Sequence, residues 1–100
     1  MYANGKGVPK DDKEAVKWWR KAAMQGEVVA QNNLGAVHFL GRGVPQDFRT
    51  AYVWSSFAVA NGDAGAKRVK DNAVKRMTPD QIAIAEKAAK AMVKKNPKLL

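Results

Sequence analysis

The feature that most constrains the fold of this chain is an internal repeat with a period of 36 residues. When residues 1–30 are aligned with residues 37–66, ten positions are identical. These are Gly5, Gly7, Val8, Pro9, Asp11, Ala15, Trp18, Ala22, Gly26 and Ala30, which recur as Gly41, Gly43, Val44, Pro45, Asp47, Ala51, Trp54, Ala58, Gly62 and Ala66. Self-similarity at such a period is typical of solenoids, in which each unit buries its apolar face against neighbouring units.

The recurring residues predict a helix-turn-helix unit. The Gly-x-Gly-Val-Pro segment breaks the chain, because glycine accepts positive φ and proline cannot continue a helix. Asp11 and Asp47 follow this break and suit the N-cap of the next helix. Within that helix the Ala-x-x-Trp-x-x-x-Ala spacing places all three side chains on one face. We therefore predict that Trp18 and Trp54 are both core residues.

A second type of helix is predicted from about Val28 to Leu40. Ala30, Leu34 and Val37 lie on its packing side, and Gly35 allows a neighbouring helix to approach closely. The Gln25-Gly26 and Asn61-Gly62 pairs end the preceding helices with a left-handed cap.

Two further helices are predicted after the second copy. Residues 64–76 match the second helix type, although the positions of Leu34 and Gly35 now hold Lys70 and Asp71. Thr78-Pro79-Asp80-Gln81 then has the residues of a capping box and begins a last helix that runs to about residue 95.

The motifs together resemble the Sel1-like repeat, a relative of the tetratricopeptide repeat. They are Ala-x-x-x-Leu-Gly at Ala30 to Gly35, Gly-x-Gly-Val-Pro-x-Asp at Gly41 to Asp47, and Ala-x-x-Trp-x-x-x-Ala-Ala-x-x-Gly at Ala15 to Gly26. The resemblance implies an all-α, right-handed solenoid of antiparallel helix pairs with a C-terminal capping helix. It also implies an adaptor or scaffold that binds other proteins, often in bacteria.

This resemblance divides residues 1–100, as a single domain, into repeat units. Residues 1–26 form a first repeat without its first helix, 27–62 a complete repeat, 63–77 a degenerate third-repeat helix and 78–95 the capping helix. Because the first repeat lacks a helix, we expect an open face that includes Val16, Trp19 and Ala23. Either the chain is a fragment of a longer protein with further repeats, or a second copy of the chain or another protein covers that face.

In tetratricopeptide-like solenoids the first helix of each pair lines the concave groove, so the resemblance also predicts where a partner binds. The groove residues are Asn32, Ala36 and Phe39 in one layer and Arg68, Asn72 and Lys75 in the next. The second layer is basic and carries an amide, which suits an acidic peptide or a carboxylate.

The net charge of +9 is concentrated in the C-terminal third. From Lys67 onward there are ten Lys or Arg and three acidic residues, a balance of +7. Such a field favours acidic protein partners, and it leaves nucleic acid or an anionic surface as the alternative. The cations of this alternative are Lys67, Arg68, Lys70, Lys75, Arg76, Lys87, Lys90, Lys94 and Lys95. No aromatic residue lies between them, which argues against nucleic acid.

The residue types give no support for catalysis or for a metal or cofactor site. The chain has no cysteine and a single histidine, His38, for which spacing suggests no catalytic partner. The Gly-x-Gly segments lack the Gly-Lys-Ser/Thr of a phosphate-binding loop and are turns. We therefore expect no catalytic residues, no cofactor and no metal.

The sequence leaves the cellular location open. No apolar run approaches the length of a membrane span, and the first residues do not resemble a secretory signal. A location in the bacterial periplasm or outside the cell would require a signal upstream of Met1.

Overall fold

The computed structural model describes residues 12–100, and this part of the chain is helical without strands. Its elements are α1 (Asp12–Met24), α2 (Val28–Leu40), α3 (Phe48–Ala60), α4 (Ala66–Val74), α5 (Pro79–Lys95) and a 3-10 helix, Pro97–Leu99. The predicted all-α class is confirmed. None of the helices described is long and apolar enough to cross a bilayer. The first Gly-x-Gly-Val-Pro segment and Asp11 lie outside the described residues.

The central helix of the described chain is α3, which packs against α2, α4 and α5. Because it is surrounded, seven of its residues are buried, including Trp54 and Phe57, whose rings meet edge to face at 5.6 Å. Close approach of α2 depends on Gly35. A Cβ atom at this position would lie 3.3 Å from the Ser55 Cβ and 3.4 Å from the Ala51 carbonyl oxygen. The prediction of close packing at Gly35 is confirmed.

The helix ends follow the predicted chemistry. Asp47 caps α3 by accepting hydrogen bonds from the backbone N–H groups of Arg49 and Thr50, at 3.0 and 3.4 Å. Thr78 and Gln81 form the predicted capping box at the start of α5. Gly26 and Gly62 have φ of 93° and 103°, as a left-handed helix end requires. Local capping therefore fixes where these helices begin and end.

The last helix does not continue the pairing of the earlier ones. In the described chain α5 packs mainly on α3 rather than on its sequence neighbour α4. The Tyr52 hydroxyl donates a hydrogen bond to the Glu86 carboxylate at 3.0 Å and so joins α3 to α5. The division of the chain into four repeat units, with α5 as a cap, stays a prediction.

The residues after α5 form an anchored segment that the sequence did not predict. Leu99 is fully buried in the core, and its carbonyl oxygen accepts hydrogen bonds from Gln31 at 3.0 Å and Asn61 at 2.9 Å. Asn96 donates to the Met24 carbonyl oxygen at 2.8 Å. These bonds tie the end of α5 to the α1–α2 turn and to the end of α3.

The prediction that both repeat tryptophans are core residues is wrong for Trp18. Trp54 is 6% exposed, whereas Trp18 is 60% exposed. The reason is that α5 lies over Trp54, and in the described chain no helix covers Trp18 in the same way. The residues of α5 that share a cavity with Trp54 are Ile84, Ala85, Ala88 and Met92.

The open face predicted on α1 is also wrong. Val16 and Ala23 are 3% and 0% exposed, and Trp19 is half-buried against the core. These side chains belong to the core that α1 shares with α2, the helix on which it packs. The apolar side chains that α1 does expose are Trp18 and Met24.

Candidate functional site

The predicted groove residues lie on α2 and α4, which pack against each other. Asn32, Ala36 and Phe39 lie on α2, and Arg68 and Asn72 lie on α4. Lys75 is the residue that ends α4. Since each α4 position follows its α2 counterpart by 36 residues, the two layers are repeats of one surface. The structure therefore brings the two predicted helices together.

The α2 layer is partly shielded. Asn32, Ala36 and Phe39 are each half-buried, and the Phe39 ring lies 5.4 Å from the Phe48 ring in a tilted contact. The Oδ1 atom of Asn32 is shielded from solvent and has no hydrogen-bond partner in the structure as described. Thus Asn32 contributes an amide whose oxygen is not used to hold the fold together.

The α4 layer is open and cationic. Arg68 and Lys75 are exposed, Asn72 is half-buried, and neither cation forms an ion pair within residues 12–100. Asp71, the acidic residue on α4, forms an ion pair with Lys67, with 2.8 Å between Oδ2 and Nζ. Two positive charges and an amide are therefore available beside the apolar α2 layer. Such a set can bind carboxylates and backbone amides.

The other cations of the basic C-terminal third are more dispersed. Lys70 lies 5.6 Å from the centre of the Tyr52 ring, and Arg76 lies 5.5 Å from the centre of the Phe48 ring. The α5 lysines at positions 87, 90, 94 and 95 are exposed on a helix that packs mainly on α3. The cations of the nucleic-acid alternative thus lie on α4, on the two residues that follow it and on α5, and in the described chain α5 packs mainly on α3 rather than on α4.

His38 has the environment of a packed core residue. It is 8% exposed. Burial lowers the pKa of His38 below its ordinary value of 6.5, and the positive charge of Arg20 lowers it further, while Asp47 and a hydrogen bond to the Pro45 backbone act in the opposite direction. Among the described residues no group of three His, Cys, Asp or Glu side chains could hold a metal ion.

A surface that sequence reasoning missed lies on α1 around Trp18. The indole is exposed, and the Lys21 ammonium lies 5.2 Å from the centre of its ring. Lys17, Arg20, Lys21, Met24 and Gln25 line an open cavity of about 560 Å³ on the same helix. A signal was present in the repeat, because Val53 and Phe57 of α3 correspond to Lys17 and Lys21 of α1.

Comparisons with known proteins agree with the architecture. The family model described as Sel1 repeat matches residues 1–27 and 28–63. A similar solved structure is c5321, a protective antigen present in uropathogenic Escherichia coli strains and displaying an SLR fold. The two chains are 32% identical with a TM-score of 0.85, and the alignment covers 96% of this chain but 21% of c5321. The comparison with curated proteins gave no match.

These findings establish the fold. The fold is a helical solenoid, as in c5321. Proteins with Sel1-like repeats generally mediate protein–protein interactions and are typically not enzymes. The two matched segments cover more than half of the sequence, and they include the repeat motifs from which the resemblance was first read. The chain belongs to the Sel1 repeat family.

Proposed function

We propose that this chain is a protein-interaction module that binds an acidic segment of another protein in the groove between α2 and α4. The observation that carries the proposal is the pair of exposed cations, Arg68 and Lys75, which have no carboxylate partner in the described chain and flank Asn72. On this proposal the chain acts by binding and does no chemistry of its own.

The two layers would contribute different interactions. Arg68 can hold a carboxylate through two parallel N–H groups, and Lys75 can bind a second acidic group as a point charge. The amide of Asn72 can pair with the peptide backbone of an extended partner, independently of its side chains. Ala36 and the half-buried ring of Phe39 offer an apolar contact beside these polar groups. The preferred ligand is therefore an extended segment with two carboxylates and a small apolar residue.

The test compares proteins captured from lysate of the source organism by the unchanged chain and by Arg68→Glu/Lys75→Glu. Lys87→Glu/Lys94→Glu is the matched control, because it makes the same change in net charge at two exposed positions of α5. We expect a protein with an acidic segment to be captured by the unchanged chain and the control and lost with the groove variant.

Two outcomes would contradict the proposal. Equal capture by the unchanged chain and the groove variant would show that the α2–α4 groove is not the binding surface. Capture that disappears on nuclease treatment would favour binding of nucleic acid by the dispersed cations. Equal weakening of capture by the α5 control and by the groove variant would favour it too. Binding of that kind falls steeply as salt concentration rises.

A further inference from the structure

The internal repeat places a tryptophan at the same position of α1 and α3, but only one of the two is covered. Trp54 on α3 lies under α5 and is 6% exposed, whereas Trp18 on α1 is 60% exposed. A tryptophan buries more apolar area than most side chains, and exposed tryptophans are enriched where partners bind. The surface around Trp18 therefore resembles the surface of α3 on which α5 packs, but no helix of the described chain packs on it.

The residues around the two tryptophans show what kind of helix each surface can accept. On α3, Val53 and Phe57 flank Trp54, and the α5 residues that line the same cavities are three alanines with Ile84, Lys90, Met92 and Val93. On α1 the equivalent positions are Lys17 and Lys21. The surface keeps its central ring but replaces two apolar neighbours with cations. A helix seated there needs carboxylates where α5 has apolar side chains.

Three residues beside Trp18 also line an open cavity. Lys17, Lys21 and Met24, together with Arg20 and Gln25, line a cavity of about 560 Å³, which Trp18 does not border. Met24 is exposed, and the ammonium of Lys21 lies 5.2 Å from the centre of the Trp18 ring. Apolar side chains surrounded by cations favour an amphipathic acidic partner.

We propose that the α1 surface formed by Lys17, Trp18, Lys21 and Met24 docks an acidic amphipathic helix of another protein. Carboxylates of that helix pair with Lys17 and Lys21, which lie between Trp18 and Met24 on the surface of α1, and its apolar side chains pack on the Trp18 ring and on Met24. This surface is separate from the α2–α4 groove and does not depend on its function.

Charge argues against a second copy of this chain as the occupant. In a second copy, α5 is the helix that packs on the equivalent tryptophan, Trp54. If it packed on α1, its exposed lysines at positions 87, 90, 94 and 95 would face Lys17 and Lys21. Like charges placed together across an interface oppose association. A single exposed ring also differs from the series of aromatic platforms on which single-stranded nucleic acid stacks.

The test uses the full chain and a labelled peptide with the sequence of residues 79–95 in which all four lysines are replaced by glutamate. The peptide with the native lysines is the ligand control. Fluorescence anisotropy at fixed ionic strength should show binding of the acidic peptide only. Trp18→Ala and Lys17→Glu/Lys21→Glu should each weaken that binding by at least about tenfold, as expected for a central contact.

Lys87→Glu/Lys94→Glu makes the same charge change on α5 as Lys17→Glu/Lys21→Glu makes on α1. This control variant should bind the acidic peptide like the unchanged chain. Circular dichroism checks that all variants fold. We expect that they do, because Lys17, Trp18 and Lys21 are exposed.

Several results would overturn the proposal. They are absence of binding, binding that ignores the α1 substitutions, and loss of binding in Arg68→Glu/Lys75→Glu instead. Self-association that Trp18→Ala abolishes in analytical ultracentrifugation would assign the surface to a second copy. If a single-stranded oligonucleotide of equal charge displaced the acidic peptide and bound more tightly, the α1 surface would be assigned to nucleic acid.

Discussion

Two identical residues in equivalent positions of a repeat can have different roles, as Trp18 and Trp54 do in this chain. Their helices have the same length and the same Ala-x-x-Trp-x-x-x-Ala spacing, so this spacing does not distinguish the two rings, although Lys17 and Lys21 stand where α3 has Val53 and Phe57. The difference comes from α5, which packs on α3 and leaves Trp18 exposed. Burial at this position is therefore decided by a helix that is distant in sequence.

The tryptophans give the first prediction. Trp54→Ala should lower the free energy of unfolding by about 3–5 kcal/mol, because it leaves a large cavity beneath α5. Trp18→Ala should change it by no more than about 0.5 kcal/mol, since the ring is mostly in water. Urea denaturation followed by circular dichroism measures both. Equal losses for the two variants would contradict the assigned environments.

His38 gives a prediction about pH. Its pKa in the folded chain is below the ordinary 6.5, so the unfolded chain binds the proton more readily. The contribution of His38 to stability is complete above pH 6.5 and is lost as the pH falls from there toward the folded pKa. The free energy of unfolding of the unchanged chain minus that of His38→Gln should therefore decrease as the pH falls below 6.5, by at most about 1.4 kcal/mol per pH unit.

Urea denaturation of both proteins between pH 5 and pH 8 measures this difference. The baseline cost of replacing a buried side chain cancels, because only the change of the difference with pH is compared. A difference that stays constant across this range, or that grows in favour of the unchanged chain at low pH, would show that His38 is not held in its neutral form.

At the scale of elements, the sequence predicted what local chemistry determines. The bounds of α2 and the capping of α3 and α5 followed from Gly41, Asp47 and Thr78, whose side chains or φ angles act on the nearest turn. It did not predict the packing of α5 on α3 or the burial of Leu99, because both depend on contacts between residues far apart in the chain.

The candidate site divides in the same way. The repeat register identified Asn32 and Arg68 as equivalent positions on two helices that do pack together. The binding role of these residues stays a prediction, since it depends on a partner that the sequence does not encode. The α1 surface was missed because the tryptophan spacing favoured a buried Trp18.

Two glycines form a matched pair that tests the anchored segment. Gly26 and Gly62 both end helices with positive φ, so alanine at either position should cost about 1–2 kcal/mol of backbone strain. A Cβ at Gly62 meets nothing within 4 Å, whereas one at Gly26 would collide with the Lys98 carbonyl oxygen. Gly26→Ala should therefore cost at least about 1 kcal/mol more than Gly62→Ala.

Chemical denaturation of the two variants provides the measurement. Equal losses would mean that the segment after α5 does not rest on the α1–α2 turn. A larger loss for Gly62→Ala would contradict the assigned packing more directly.

At the scale of the whole molecule, the segment after α5 joins parts that are distant in sequence. The Leu99 carbonyl oxygen receives hydrogen bonds from α2 and from the end of α3, while the Leu99 side chain fills the core. Asn61 also donates to the Gln31 side chain at 2.8 Å, so the three groups form one connected network. A solenoid has few contacts between residues far apart in the chain, and this network supplies some of them.

Leu99→Ala should therefore destabilise the entire chain. We expect a loss of about 2–5 kcal/mol with a single cooperative transition, because the side chain is fully buried. Leu100→Ala is the control, since Leu100 is 57% exposed, and it should cost much less. Thermal and urea denaturation followed by circular dichroism would detect both effects. A loss below about 1 kcal/mol for Leu99→Ala would contradict a structural role for this segment.

The whole molecule presents two cationic surfaces of different character. The α2–α4 groove combines exposed cations with amides, whereas α1 presents an exposed tryptophan beside two lysines. Because the net charge is +9, we expect both surfaces to favour acidic partners over a second copy of the chain. A protein of the Sel1 repeat family could thus hold two partners at once, or two parts of one partner.

Binding of an acidic protein segment in the α2–α4 groove can be tested most directly by a ¹H–¹⁵N NMR titration of the full chain with the acidic segment of a captured protein. We expect shifts of backbone amides in α2 and α4 and of the side-chain amides of Asn32 and Asn72, all absent in Arg68→Glu/Lys75→Glu. Shifts confined to α1 or α5, or unchanged in that variant, would contradict it.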